Sequence, residues 1–270
     1  MKIITAYQEF KEFRNTIQSI SFVPTMGNLH KGHMALIDKA RSYDSHVTAS
    51  IFINPLQFND ASDFNNYPKS LDDDIALLSE HGCDSVFIPD SSILKNIKEI
   101  KAPDTALYLC GKNRPGHFDG VLTIVNKLFE ITKPTRSFFG RKDFQQLTLI
   151  KNFVKENNLS IDIISVDTVR EPSGLAMSSR NNRLSESDRE KASKLYNTLC
   201  LIKDNLDILS NETIKSYKDE LIWQGFDVDY LTVCNPMTLK ELGDFNSKPI
   251  LVAIAASISG IRLIDNILID

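Results

Sequence analysis

Phe22-Val23-Pro24-Thr25-Met26-Gly27-Asn28-Leu29-His30-Lys31-Gly32-His33-Met34-Ala35-Leu36-Ile37 is the stretch that decides how this chain folds. A short apolar run ending at Phe22-Val23 reads as a strand. Pro24 and Gly27 interrupt it, and Met34-Ala35-Leu36-Ile37 resumes with helical character. His30 and His33 therefore fall where a strand hands over to a helix. In an open α/β sheet that rim is where ligands bind. A helix start presents free backbone N–H groups and the positive end of its dipole, both suited to phosphate. Glycines at such a turn let a ligand approach the backbone closely. The competing reading of two such histidines is a zinc pair. Zinc normally takes three or four protein ligands, and His46, His81 and His117 form no companion cluster with cysteine or carboxylate. Phosphate binding is the better reading.

The rest of the first half repeats the strand–helix alternation. Residues 46–53 are rich in Val, Thr, Ile and Phe. Leu71, Ile75 and Leu78 recur at helical spacing, and Val86-Phe87-Ile88 is a short apolar run. Val121, Ile124, Val125, Leu128 and Phe129 mark one face of a helix. Residues 137–140 read as a strand, Leu147, Ile150 and Val154 as a helix, and 161–166 as a further strand. This order predicts a Rossmann-like parallel sheet covered by helices. After Arg170 the pattern changes. A turn at 171–174 precedes a charged helix over 187–205, a second helix over 211–224, and strands at 229–234, 250–257 and 261–269. The expected architecture is α/β: a Rossmann-like domain over residues 1–174, then a smaller α+β domain over 175–270.

Composition narrows the class. The 270 residues are 42% hydrophobic, ample for a packed core, and carry a formal net charge of −4. That balance argues against a nucleic-acid partner, which normally selects a basic excess. The first nine residues lack the long apolar core of a signal peptide. The strongest apolar run, 250–261, is too short to span a membrane and reads as a buried strand. Cys83, Cys110, Cys200 and Cys234 are widely spaced, as reduced thiols of a cytoplasmic protein would be.

Four further segments carry candidate chemistry, two of them at strand ends. Asn54-Pro55-Leu56-Gln57-Phe58 follows the second strand, and the Gln57 amide can both donate and accept. Arg114-Pro115-Gly116-His117 leads into a helix; its side chains could reach an anion or simply shape a loop. Gly140-Arg141-Lys142-Asp143 ends a strand, with Lys142 a phosphate ligand at a helix start and Asp143 either a cap or a ligand contact. Met177-Ser178-Ser179-Arg180 offers two hydroxyls and a guanidinium to a triphosphate.

The His-x-Gly-His core resembles the HIGH-type motif of the nucleotidylyltransferase superfamily, and residues 177–180 resemble the KMSKS-type loop that accompanies it. The five segments in order resemble the pantoate–β-alanine ligase family through most of residues 20–190, with a fainter return at Leu263-Ile264-Asp265-Asn266. That resemblance implies ATP contacts at Met26, Gly27, Asn28, Leu29, His30, Lys31, Gly32 and His33, at Gly140, Arg141, Lys142 and Asp143, at Val169, and at Met177, Ser178, Ser179 and Arg180. It implies pantoate binding by Gln57 and Gln146, with Gln57 also facing β-alanine. His33 is implied to be catalytic, and Asp73 and Asp74 to lie near the Mg2+ that enters with ATP. It further implies a homodimer, and a reaction in which pantoate is activated as an adenylate before the amine of β-alanine attacks. Arg141 stands where the family usually carries Glu, and the 90–113 stretch is shorter than expected. Two rival readings are another adenylyl- or cytidylyltransferase and a non-catalytic ATP sensor. Pantoate-dependent release of pyrophosphate separates all three.

Overall fold

The computed structural model describes residues 1–245 and 248–270. Its first half is a parallel sheet of β1 (Lys2–Ile4), β2 (Ile20–Thr25), β3 (His46–Ile51), β4 (Ser85–Phe87), β5 (Arg136–Gly140) and β6 (Asp162–Val166), in the order β1-β4-β3-β2-β5-β6. The chain leaves β2 in one direction to β3 and β4, then returns to pair β5 on its other side. That reversal is the topological switch at which ligands enter open α/β sheets. Pairing between β2 and β5 covers only Ser21–Arg136 and Phe22–Ser137. Val23, Pro24 and Thr25 are thus unpaired to Phe138, Phe139 and Gly140, and a crevice opens between the two strand ends.

Both faces of the sheet are buried along its inner strands β2 to β5, so these read as apolar runs. One face packs Phe22 and Phe87 against α1 (Tyr7–Arg14), α6 (His117–Thr132) and α7 (Phe144–Glu156). The other packs Val23, Ala49 and Val86 against α2 (Lys31–Arg41) and, after the short α3 (Ala61–Asn65), against α4 (Leu71–Glu80). Neighbouring residues of β2 thus serve opposite cores, as strand alternation requires.

The second half is an antiparallel sheet of β7 (Asp227–Cys234), β8 (Ile250–Ile258) and β9 (Ile261–Ile269). The short α5 (Leu109–Asn113) belongs to the first half. Ahead of the second sheet come α8 (Glu186–Ala192), α9 (Lys194–Asp204) and α10 (Asn211–Trp223). The single charged helix expected over 187–205 is therefore two, divided at Ser193, whose hydroxyl bonds the Glu190 carbonyl at 2.6 Å. Such back-bonding competes with the helical ladder. In β8, Ile250, Val252 and Ile254 face α9 and α10, while Leu251 and Ala253 face Tyr108, Leu109 and Phe144 of the first half. Burial on both sides explains the unbroken apolar run. Among the described residues, no helix is long and apolar enough to cross a membrane.

The halves are joined by a bidentate ion pair. Arg170 donates to both carboxylate oxygens of Asp265 at 2.6 and 2.9 Å, and its guanidinium lies 3.6 Å from the Tyr196 ring centre. Asp265 is 4% exposed, so losing it strands a largely buried cation. Asp265→Ala is expected to lower stability by about 3–5 kcal/mol, measured by denaturant unfolding. A loss below about 1 kcal/mol, the scale of an exposed pair, would contradict this role for the pair.

Candidate active site

His30 is the N-cap of α2 and His33 its third residue, and together they close a capping box made of imidazoles. The His30 Nδ1 accepts the Gly32 N–H at 3.1 Å, and the His33 Nδ1 accepts the His30 N–H at 3.2 Å. A backbone amide can only donate, so both Nδ1 atoms are unprotonated and both neutral rings carry their proton on Nε2. Burial and the nearby Lys142 charge drop the His30 pKa to about 4. Burial, His30 and Lys142 hold His33 well below the usual histidine range. At neutral pH the pair therefore offers two uncharged N–H donors. Gly32 is required beside them: a Cβ there would lie 2.8–2.9 Å from the His30 ring.

The turn ahead of α2 is held from outside. Gly27 and Asn28 have φ of +84° and +48°. Asp74, at the start of α4, accepts the Asn28 and Leu29 N–H groups at 2.9 and 2.7 Å, one on each carboxylate oxygen, and the Ser70 hydroxyl at 3.1 Å. Asp74 is 3% exposed and its charge is spent on the turn, while Asp73 is exposed on the same helix. Among the described residues no three His, Cys, Asp or Glu side chains are grouped to hold a metal.

Met26, His30, Gly32 and His33 line one side of a cavity of about 250 Å³ at the crevice. Gly140, Lys142, Asp143, Gln146 and Val169 line the side nearest β5 and β6, and Met177, Ser178, Ser179 and Arg180 complete the wall. The structure therefore brings together segments far apart in sequence. Gly27, Asn28 and Leu29 form the turn behind the wall. Lys31 is exposed and does not line the cavity, and neither does Arg141, which pairs at 2.8 Å with Asp167, itself a lining residue. Asp143 makes no side-chain cap bond, and its carboxylate is half exposed beside Lys142. The two serines differ. Ser179 donates to the Asn28 carbonyl at 3.0 Å and ties its loop to the turn, whereas Ser178 accepts the Arg180 N–H at 3.3 Å within its own loop. Arg180 reaches across to Asp63 at 2.9 Å, shared with Arg183 at 3.4 Å.

Gln57 stands at the opposite end. Asn54 Oδ1 accepts the Leu56 N–H, which turns its amide nitrogen toward Gln57 Oε1 at 3.0 Å. The Gln57 amide nitrogen is thereby turned to Met26 Sδ, a weak acceptor at 3.0 Å that a substrate oxygen would outcompete. The Gln57 carbonyl receives His117 Nδ1–H at 2.7 Å and Arg114 at 3.2 Å. His117, lowered to about 4 by burial and Arg114, is thus a neutral loop brace. Gly120 lets α6 approach this turn, since a Cβ would sit 2.2 Å from the Leu56 carbonyl oxygen. Asn54, quoted in its segment without a role of its own, also lines the cavity, as does Tyr67, and Asp63 braces it; the sequence reading passes over the last two.

Asp74→Asn keeps the side-chain shape but replaces one of the two charged acceptors with an amide nitrogen, which faces a backbone donor. A stability loss of about 1–3 kcal/mol is expected, equal with and without Mg2+. Unchanged stability together with a raised Mg2+ requirement would return Asp74 to the metal.

Residues 2–268 match the family model described as pantoate-beta-alanine ligase. A pantothenate synthetase from Coprothermobacter proteolyticus is 42% identical, covering 99% of this chain and 97% of its own. Another from Thermosipho africanus is 37% identical over the full length of both. The crystal structure of pantothenate synthetase from Thermus thermophilus superposes with a TM-score of 0.91 at 37% identity, covering 99% of each chain. That of pantoate-beta-alanine ligase from Francisella tularensis, complexed with beta-gamma ATP and beta-alanine, gives 0.85 at 37% identity, covering 99% of this chain and 97% of that one. The sheet order, the imidazole capping box at the switch point and this likeness over the whole length agree: the chain belongs to the pantoate-beta-alanine ligase family.

Proposed function

We propose that this chain condenses pantoate with β-alanine at the expense of ATP, through a pantoyl adenylate, and that its crevice is the active site. The observation that carries the reading is the placement of two Nε2–H donors, Lys142 and Arg180 around one cavity that Gln57 and Gln146 also line. In this reading the nucleotide phosphates lie over the start of α2, where the helix dipole and Gly32 favour an anion. Val169 and Gly140 line the β6 side, where the rest of ATP would lie. Mg2+ arrives on the phosphates.

The carboxylate of pantoate attacks the α-phosphorus and pyrophosphate leaves. Negative charge grows on the phosphoryl oxygens, and donors fixed beforehand stabilise it without reorganising. His33 suits that task as a neutral donor. Its depressed pKa argues against a general acid, because an imidazole proton on Nε2 at neutral pH is far too weakly acidic to be given up. Gln57 and Gln146 hold pantoate by its hydroxyls and carboxylate. The amine of β-alanine then attacks the acyl carbon and AMP departs. Substrates supply both nucleophiles, so the protein's work is positioning and charge stabilisation.

Family membership supports two further parts of the reading, a cytoplasmic location and a homodimer. Residues 175–270 act as the smaller domain that carries Met177–Arg180 over the site of residues 1–174.

With oxygen-18 in the carboxylate of pantoate, one label is expected in the phosphate of AMP, and pyrophosphate release is expected to require pantoate. Label in inorganic phosphate, with ADP as co-product, would overturn the adenylate. His33→Ala is expected to lower turnover by about 10²–10³ while ATP binding changes far less. Turnover of the unmodified enzyme should show no limb with a midpoint near 6.5, the ordinary histidine value. Such a limb, absent from His33→Ala, would make His33 a proton donor after all.

A further inference from the structure

Lys142 sits on a single turn, Arg141–Asp143, that has few anchors of its own. Asp143 makes no cap bond into α7, nothing lies within 4 Å of where a Cβ would stand on Gly140, and the Arg141 side chain is engaged by the exposed Asp167. The anchor comes from the other sheet. Asn266, in β9, donates its side-chain amide to the Arg141 carbonyl at 3.0 Å and to the Lys142 carbonyl at 2.8 Å. Both amide protons are used, and because both partners are carbonyl oxygens the orientation of the amide is fixed. Asn266 is itself 8% exposed and is locked in turn. Its N–H donates to Asp265 at 2.8 Å, and Asp265 is held by Arg170.

We propose that Asn266 is a positioning residue for the nucleotide: through the two carbonyls it sets Lys142 opposite His30 and His33. The inference rests on reading Lys142 as a phosphate ligand. A flexible lysine gains most from a fixed backbone, because its four-carbon stem cannot hold the ammonium in place alone. Without the amide, the turn loses its register against the start of α2, and Lys142 samples positions from which the phosphates are out of reach. The phosphate grip therefore depends on a strand of the second sheet.

A double-mutant cycle on ATP affinity, measured calorimetrically in the absence of pantoate with melting followed in parallel, tests this. Lys142→Ala and Asn266→Ala are each expected to weaken ATP by about ten- to a hundredfold, the scale of one charge-assisted hydrogen bond. In the Lys142→Ala background, Asn266→Ala is expected to add almost nothing, and pantoate affinity should hold in the Asn266 variant. An effect of Asn266→Ala that persists undiminished without Lys142, or no effect at all, overturns the proposal. If Lys142→Ala alone leaves ATP affinity unchanged, the reading of Lys142 falls and this inference with it, a distinct signature. Should Asn266→Ala fail to fold, Asn266→Asp takes its place. Its carboxylate would face two carbonyl oxygens, which raises its pKa, and protonation restores one donor. ATP affinity relative to the unmodified chain should then recover as pH falls from about 8 to about 6. A ratio that stays flat counts against the proposal.

Discussion

Two backbone protons decide the character of this site. The N–H groups of His30 and Gly32 are donated to imidazole nitrogens, so the helix start that would otherwise greet an anion with bare amides greets it with ring donors. The consequences run in both directions. Toward the fold, the box ends the turn and starts α2, which brings Met34 and Ile37 onto the sheet. Toward the chemistry, it fixes the tautomer of both rings and extends the reach of the helix N-terminus by the length of an imidazole. The requirement for Gly32 follows from the same contact, and so does the need for Asp74 to hold the preceding turn in its left-handed conformation.

Much of this was legible in the sequence. Strand–helix alternation gave the parallel sheet, and Pro24 with Gly27 marked the crossing point. Positions such as Gln57, Gln146 and Lys142 lie on the cavity because strand ends of a parallel sheet share one rim. What was not legible is partnership. Nothing in Asp72-Asp73-Asp74 distinguishes the third acid from its neighbours, yet helical phase buries it against the turn and leaves Asp73 exposed. Arg141 and Lys142 are adjacent cations, but of the two Lys142 lines the cavity, and the pairing of Arg141 with Asp167 needs the β6 exit to be placed first. The division at Ser193 and the three-residue edge strand β1 are too local or too short to leave a periodic signal.

The second sheet is more than a cover. Its β8 strand buries one row of side chains under its own helices and the other against Tyr108, Leu109 and Phe144. The Arg170–Asp265 pair and the Asn266 amide bind the two halves through polar contacts in that same region. An interface with apolar packing and directional bonds has one register rather than many, because a slip would strand a buried charge. That register is what allows residues from β9 and from the 177–180 loop to act on a crevice built by β2 and β5.

The charge balance of the cavity follows from these attachments. Arg180 and Arg183 share Asp63, and Lys142 lies 3.8 Å from Asp143, so cation and acid already face each other at the crevice. Arg114 hydrogen-bonds two neutral groups, His117 and the Gln57 backbone carbonyl. Were His30 and His33 charged as well, two more cations would stand beside Lys142, and a departing polyphosphate would be held by every one of them. Holding both rings neutral separates two demands. In the mechanism proposed above, the cations would supply long-range attraction that brings an anion in, and the imidazole N–H groups short, directional bonds that strengthen as charge gathers on the phosphoryl oxygens. A donor of that kind stabilises a transition state more than the bound reactant or product, which is the condition for turnover rather than tight binding.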